Sequence, residues 1–146
     1  MLSCAITGHR PSIFSFKHDE TAPLCNEIKL KLREQFANLY IGVRCFYVGG
    51  AVGVDTWAAE ILLEMRKQEK FKDLVIKLAI PFPGQEERYT KAQKKRYRRI
   101  WERCRKEDMI TVSDSFSPDV YKKRNYYVVD NSHYLVAVYN LHSRNT

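Results

Sequence analysis

The chain has 146 residues, of which 45% are hydrophobic and 29% are charged. This balance is ordinary for a soluble globular protein and differs from that of a disordered chain. No apolar run approaches the roughly 20 residues that span a bilayer, so the sequence predicts no membrane partner. A chain of this length is expected to form one domain over residues 1–146.

The N-terminus and the cysteines favour a cytoplasmic location. Met1-Leu2-Ser3-Cys4 leads directly into a predicted strand, without the basic and apolar segments of a secretory signal. No group of His, Cys or carboxylate residues has metal-ligand spacing, so the sequence predicts neither a metal nor a cofactor. The cysteines lack CxxC spacing and are predicted to be reduced, partly buried thiols: they are Cys4, Cys25, Cys45 and Cys104.

The formal net charge of +8 favours an anionic partner. The charge is concentrated between Arg88 and Lys106, where ten residues are Lys or Arg and only Glu102 is acidic. Such a helix could bind nucleic-acid phosphates, with Tyr97 and Trp101 stacking on unpaired bases. The alternative is that the aromatic residues pack on the sheet while the charges remain solvated.

Taken in chain order, apolar runs alternate with helical patterns, which predicts a parallel sheet covered by helices on both faces. The first helix has apolar residues from Leu24 to Leu39 at helical spacing, and Gly42 is placed to end it. The predicted strands are Cys4–Thr7, Arg44–Val48, Val75–Ile80, Met109–Val112 and Tyr134–Tyr139.

Three further helices complete the prediction. The second begins after Asp55 or Thr56, either of which could cap it. The third is long and basic, and its first turn is expected at Glu86 and Glu87 because acidic residues favour a helix N-terminus. The last is expected from about Pro118 to Ser132.

The second predicted strand is followed by a glycine-rich turn, Gly49-Gly50-Ala51-Val52-Gly53-Val54-Asp55, and then by a helix. Glycines let the backbone approach a ligand closely, and a helix N-terminus offers N–H groups and a positive dipole end to an anion. The spacing is neither GxGxxG nor the Walker motif, so it predicts neither dinucleotide binding nor nucleotide triphosphate hydrolysis. The turn could also need its glycines for backbone geometry alone.

Two other loops are predicted to lie at the same edge of the sheet. Right-handed connections bring the carboxyl ends of parallel strands to one edge, where ligands bind in open α/β folds. Gly8-His9-Arg10-Pro11 follows the first strand, and Pro81–Arg88 follows the third. We therefore expect these loops and the Gly49–Asp55 turn to form one phosphate-binding rim.

Four blocks of the sequence resemble the YpsA-like members of the SLOG superfamily, which shares its fold with the DNA-processing protein DprA and the LOG phosphoribohydrolases. The blocks are Ile6-Thr7-Gly8-His9-Arg10-Pro11, Gly49–Glu60, Pro81–Tyr89, and Arg124-Asn125 with Asp130. The resemblance implies a Rossmann-like α/β three-layer sandwich, with a mostly parallel sheet of about five strands flanked by helices. It also implies that a nucleotide or nucleotide-derived ligand binds at the rim, with the protein acting as a sensor or regulatory binding module.

Cleavage of the ligand is an alternative, because LOG enzymes are N-glycosidic hydrolases of nucleoside monophosphates. This chain departs from their PGGxGTxxE motif, and its turn is closer to the AxGID element of DprA-like proteins. If hydrolysis occurs, Glu60 and Glu87 are the candidate catalytic acids. A helix-surface residue such as Glu60 more commonly forms an ion pair.

The predicted ligand contacts follow from these patterns. Arg10 suits phosphate because its guanidinium presents paired donors, whereas Asp55 could receive a ribose hydroxyl, orient a loop amide or only cap the helix. Arg124 could equally pair with an acid. The full predicted set is Gly8, His9, Arg10, Gly49, Gly50, Ala51, Gly53, Asp55, Thr56, Pro83, Gly84, Glu87, Arg88, Arg124, Asn125 and Asp130.

The C-terminal sequence predicts an oligomer. YpsA-like proteins usually continue after the last strand through a Gly-Gly-Thr loop into another helix, which residues 140–146 do not provide. One wall of the usual pocket is therefore expected to be either missing or supplied by a partner subunit, and a homo-oligomer is expected because related Rossmann-like proteins often pair through helices.

Overall fold

The computed structural model describes residues 1–139, and its centre is a parallel sheet of five strands. The order across the sheet is β4-β3-β2-β1-β5, and every neighbouring pair is parallel. This confirms the predicted α/β class and the sheet of about five strands. The strands are β1 (Ser3–Gly8), β2 (Cys45–Val48), β3 (Val75–Ile80), β4 (Met109–Thr111) and β5 (Tyr134–Val138).

Four helices connect these strands: α1 (Pro23–Leu39), α2 (Val54–Arg66), α3 (Lys91–Arg103) and α4 (Val120–Asp130). The first three connections step across the sheet in one direction, and the fourth returns to the far side of β1. Right-handed connections therefore place α4 on the face opposite to α1, α2 and α3. Residues 140–146, which the sequence analysis expects not to provide the usual loop and helix, lie outside the described residues.

The alternation of side chains along β1 shows both layers of the core. Cys4 and Ile6 belong to the main cluster with the buried residues of α1, α2 and α3, whereas Ala5 points to the smaller cluster with Val128 of α4. Trp57 of α2 is 2% exposed and packs in the main cluster. All four cysteines are buried as free thiols, and burial raises the pKa of Cys4 to about 11.

Several helix boundaries differ from the predictions. Helix α2 begins at Val54 after Gly53, so neither Asp55 nor Thr56 is its N-cap. Helix α3 begins at Lys91, where Thr90 and Gln93 form a capping box, and the two predicted first-turn acids lie in a separate short 3-10 turn, Gln85–Arg88. The last helix is shorter at both ends than the predicted 118–132.

Within residues 1–139, no helix combines the length and apolar character needed to cross a membrane. In the same residues, no three His, Cys, Asp or Glu side chains are grouped where they could hold a metal ion.

Candidate functional site

A cavity of about 480 Å³ opens at the carboxyl edge of the sheet. It lies where the loops after β1 and β2 meet the first half of α4, close to the place where the strand order reverses between β1 and β5. Ligands of open α/β folds bind at such reversals. The lining residues are Ile6, Thr7, Gly8, His9, Arg10, Pro11, Ser12, His18, Gly49, Ala51, Val52, Val54, Asp55, Tyr89, Gln93, Tyr121, Arg124, Asn125 and Val128.

The N-terminus of α2 forms the floor of the cavity and carries no side-chain cap among the described residues. Its N-cap, Gly53, has φ 99° and ψ −128°, a conformation that L side chains rarely adopt. A Cβ at Gly53 would also lie 2.8 Å from the ring of Pro11, so this glycine lets the loop after β2 pack against the loop after β1. The first N–H groups of a helix have no intrahelical partner, and they are available here to an anion.

Asp55 organises the glycine turn from within the first turn of α2. Its Oδ2 accepts a hydrogen bond from the backbone N–H of Ala51 at 3.2 Å. Burial raises the pKa of Asp55, although Arg124 and the backbone amides of Ala51 and Gly49 oppose this shift. Of the roles predicted for Asp55, the structure therefore shows the orientation of a loop amide.

Arg124 reaches from α4 across the end of β2 and is itself buried. Its Nη1 donates to the carbonyl oxygen of Gly49 at 2.7 Å and lies 3.9 Å from Asp55 Oδ2, while its Nε donates to Asn125 Oδ1 at 2.9 Å. A Cβ at Gly49 would lie only 2.1 Å from Nη1. Gly49 thus provides the space through which the guanidinium joins α4 to the turn.

The charged groups around the cavity are mainly basic. Arg10 is exposed at its mouth, and Arg124 also lines it. His9 lies in contact with Tyr139, with 4.7 Å between ring centroids, and its backbone N–H donates to Val138 O. Asp55 is the only acidic residue in the lining formed by residues 1–139. This balance suits an anionic group better than a cation.

The structure brings eight of the predicted ligand contacts together and leaves the others outside the lining. Gly53 and Thr56 support the turn from behind: the Thr56 hydroxyl donates to Ala51 O at 2.9 Å. The residues in the lining are Gly8, His9, Arg10, Gly49, Ala51, Asp55, Arg124 and Asn125; those outside it are Gly50, Gly53, Thr56, Pro83, Gly84, Glu87, Arg88 and Asp130.

The predicted segment Pro81–Arg88 after β3 supports the site and does not line it, whereas the next residue, Tyr89, does line the cavity. Gln85 Nε2 lies 3.3 Å from both Gly49 O and the Tyr97 hydroxyl. The Tyr89 hydroxyl donates to Gly50 O at 3.1 Å, and burial raises the pKa of Tyr89, which keeps this donor protonated. Two of the three predicted segments therefore line the cavity directly, and the third supports the glycine turn through the hydrogen bond of Gln85.

The two candidate catalytic acids also lie outside the lining. Glu60 accepts two hydrogen bonds from Arg96, at 3.1 Å from Nε and 2.6 Å from Nη2. Glu87 is exposed in the 3-10 turn. Glu60 therefore forms the ion pair that was predicted as the alternative to a catalytic role. Within residues 1–139, Asp55 supplies the carboxyl group that lines the cavity.

Several lining residues were missed by sequence reasoning. Tyr121 enters the cavity because α4 returns across the sheet, and its ring also packs against Phe82. Tyr89 lies just before helix α3, and Gln93 lies in its first turn. The capping-box pattern of Thr90 and Gln93 could have indicated this helix start from the sequence. Ser12 and His18 come from the long segment before α1, whose course no local pattern defines.

The fold and the position of the cavity define the protein as a Rossmann-like α/β protein with a site at the carboxyl edge of its sheet. The YpsA family model, described as the YspA SLOG family, matches residues 4–146. The chain therefore belongs to the SLOG family, as the four sequence blocks predicted.

Two curated relatives from Bacillus agree with this assignment. A UPF0398 protein of Bacillus thuringiensis (strain Al Hakam) is 32% identical over 137 residues, which cover 92% of this chain and 72% of the relative. A second UPF0398 protein, from Bacillus cereus (strain B4264), is 31% identical over 136 residues with the same coverage.

Proposed function

We propose that the protein binds a nucleotide or nucleotide-derived ligand in the cavity and works as a sensor or regulatory binding module. The observation that carries this proposal is the uncapped N-terminus of α2, which opens into a cavity lined by Arg10 and Arg124. Backbone amides and a positive dipole end favour a phosphate group, and Arg10 at the mouth adds a charge-assisted donor.

The remaining surface of the cavity suits the rest of a nucleotide. Tyr89 and Tyr121 provide aromatic surface, and the side-chain amides of Gln93 and Asn125 can hydrogen-bond to a base or ribose. A volume of about 480 Å³ lies within the range of small-molecule sites. A nucleoside monophosphate is therefore the simplest probe of the proposal.

Calorimetric titration with a panel of nucleoside monophosphates and the matching nucleosides tests this function. We expect a monophosphate to bind and its nucleoside to bind much more weakly. Arg10→Ala should weaken monophosphate binding by roughly tenfold, because a hydrogen bond to a charged group is worth about 1.5–3 kcal/mol and Arg10 is at the exposed mouth.

Arg44→Ala is the matched control for that titration. Arg44 is an exposed arginine just before β2, at the opposite edge of the sheet, and its Nη1 lies 3.5 Å from Asp73 Oδ2. Its removal should leave the affinity unchanged. The proposal fails if no monophosphate binds, or if the two arginine variants lose affinity equally.

Ligand cleavage is the enzymatic alternative, and the geometry supports it less well. The N-glycosidic hydrolysis of a nucleotide needs a carboxyl group beside the ribose, and the cavity offers Asp55, which already holds Ala51 N–H and faces Arg124. Chromatography of each monophosphate after incubation decides between the two functions. We expect no free base; release that Asp55→Asn or Glu60→Gln abolishes would establish the enzyme instead.

A further inference from the structure

The outer face of α3 carries a concentration of positive charge that the cavity does not use. The helix contains seven Lys or Arg residues and a single acid, Glu102. Arg96 is held between Glu20 and Glu60. Within residues 1–139, none of the other six cationic side chains has a carboxylate at ion-pair distance.

The unpaired charges follow the helical repeat. Lys91, Lys94 and Arg98 recur at intervals of three and four residues, Lys95 lies beside Lys94, and all four are exposed, so they form one stripe, the α3 stripe. Like charges at this spacing repel one another in the free protein, and that repulsion is relieved when an anionic partner lies along them. The stripe runs along a helix about 20 Å long.

An aromatic ring borders the α3 stripe. Trp101 is 41% exposed, and its ring centroid lies 6.0 Å from that of Tyr97, which is buried beneath the helix. The ring therefore rests on the protein at one edge and leaves much of its surface to solvent. An exposed indole beside several cations is the combination by which proteins bind single-stranded nucleic acid, where bases are free to stack.

Other polyanions fit this surface less well. A helix that binds an anionic membrane inserts its apolar face, but the apolar face of α3 is already packed in the core through Ile100 and Cys104. In a nucleic-acid duplex the bases stack on each other, so Trp101 would have no partner. An acidic protein would require complementary shape, whereas a flexible single strand can follow a straight stripe of charges.

From these observations we propose that the α3 stripe and Trp101 form a binding surface for single-stranded nucleic acid. Phosphates lie along Lys91, Lys94, Lys95 and Arg98, and a base stacks on Trp101. This surface is separate from the cavity and does not depend on the ligand proposed there. Binding is electrostatic in the main, so it tolerates different base sequences and weakens steeply with salt.

The test is fluorescence anisotropy of a labelled oligothymidylate without terminal phosphates, titrated with the full chain over a series of salt concentrations. We expect binding at low salt. The logarithm of the binding constant should fall linearly with the logarithm of the salt concentration. Substituting Lys94, Lys95 and Arg98 together by Gln should reduce the slope by about 2, since each phosphate contact to a single strand contributes about 0.7.

A matched triple variant separates the α3 stripe from net charge. Lys31, Lys122 and Lys123 are exposed lysines of α1 and α4, and replacing them by Gln removes the same three charges. The control should keep most of the affinity. Equal losses in both triple variants, or no binding to the oligothymidylate at low salt, would overturn the proposal.

Tryptophan emission provides an independent measurement of the stacked base. Trp57 is 2% exposed, so quenching by the oligonucleotide should report Trp101 and disappear in Trp101→Leu. A duplex of the same length and anionic phospholipid vesicles complete the experiment. If either binds more tightly than the single strand, the assignment of the partner is wrong.

Discussion

At the scale of single residues, Gly49 provides the sharpest test of the site's construction. Replacement by Ala would place a Cβ 2.1 Å from Arg124 Nη1 and 2.7 Å from Asp55 Oδ2, so the buried guanidinium must move. We expect Gly49→Ala to lower the free energy of unfolding by about 1–3 kcal/mol, the usual range for overpacking. Urea unfolding measures this loss directly.

Gly42→Ala is the control for that substitution, because a Cβ at Gly42 meets nothing within 4 Å. Its stability should remain within about 0.5 kcal/mol of the parent protein. If the two alanine variants are equally stable, the contact between Arg124 and the glycine turn does not hold α4 in place.

At the scale of elements, Arg96 ties three segments together. Its guanidinium pairs with Glu20 before α1 and Glu60 of α2, and Lys29 of α1 pairs with the same Glu20. These contacts fix the segment that delivers His18 to the cavity. Burial works against ionisation of Glu20, but the hydrogen bonds from Arg96 and Lys29 lower its pKa to about 2.

Glu20→Gln should therefore destabilise the protein in a pH-dependent way. Because the folded pKa is below the unfolded value of 4.5, the ionised carboxylate stabilises the fold above pH 4.5, and this contribution disappears as the pH falls towards 2. We expect a loss of about 1–2 kcal/mol at neutral pH, reduced by solvent screening. Denaturant titrations of both proteins across this pH range measure the difference.

Glu27→Gln is the comparison for Glu20→Gln, since Glu27 forms an exposed pair with Lys31 on α1. It should change stability by no more than about 0.5 kcal/mol at any pH. A Glu20→Gln effect that persists unchanged at low pH would mean that the side chain acts through packing and not through its charge.

The strand that the sequence predicted best lies inside the sheet. Val75–Ile80 is recovered without change as β3, because five of its six residues are apolar and four are buried in a strand that lies between two others. The predicted start of helix α2 is wrong because its N-cap is Gly53, which has no side chain to signal a cap and packs against Pro11. Local patterns cannot reveal a boundary that a distant loop determines.

At the scale of the whole molecule, the site depends on the return of the chain from β4 to β5. That connection places α4 on the face opposite to the other helices of residues 1–139 and brings Tyr121, Arg124 and Asn125 over the glycine turn. The resemblance to SLOG proteins indicated two of these residues, whereas Tyr121 has no motif of its own. Glu60 lies within a block that resembles SLOG proteins, but it pairs with Arg96 and does not line the cavity.

The most direct test of nucleotide binding is an amide NMR titration of the ¹⁵N-labelled protein with a nucleoside monophosphate, its nucleoside and inorganic phosphate. The first N–H groups of α2 lack intrahelical partners, so a bound phosphate must perturb them. We expect the monophosphate to shift the amide signals of Gly53–Thr56 and the nucleoside to leave them nearly unchanged. Equal shifts with the nucleoside, or changes confined to residues far from this helix terminus, would contradict the proposed site.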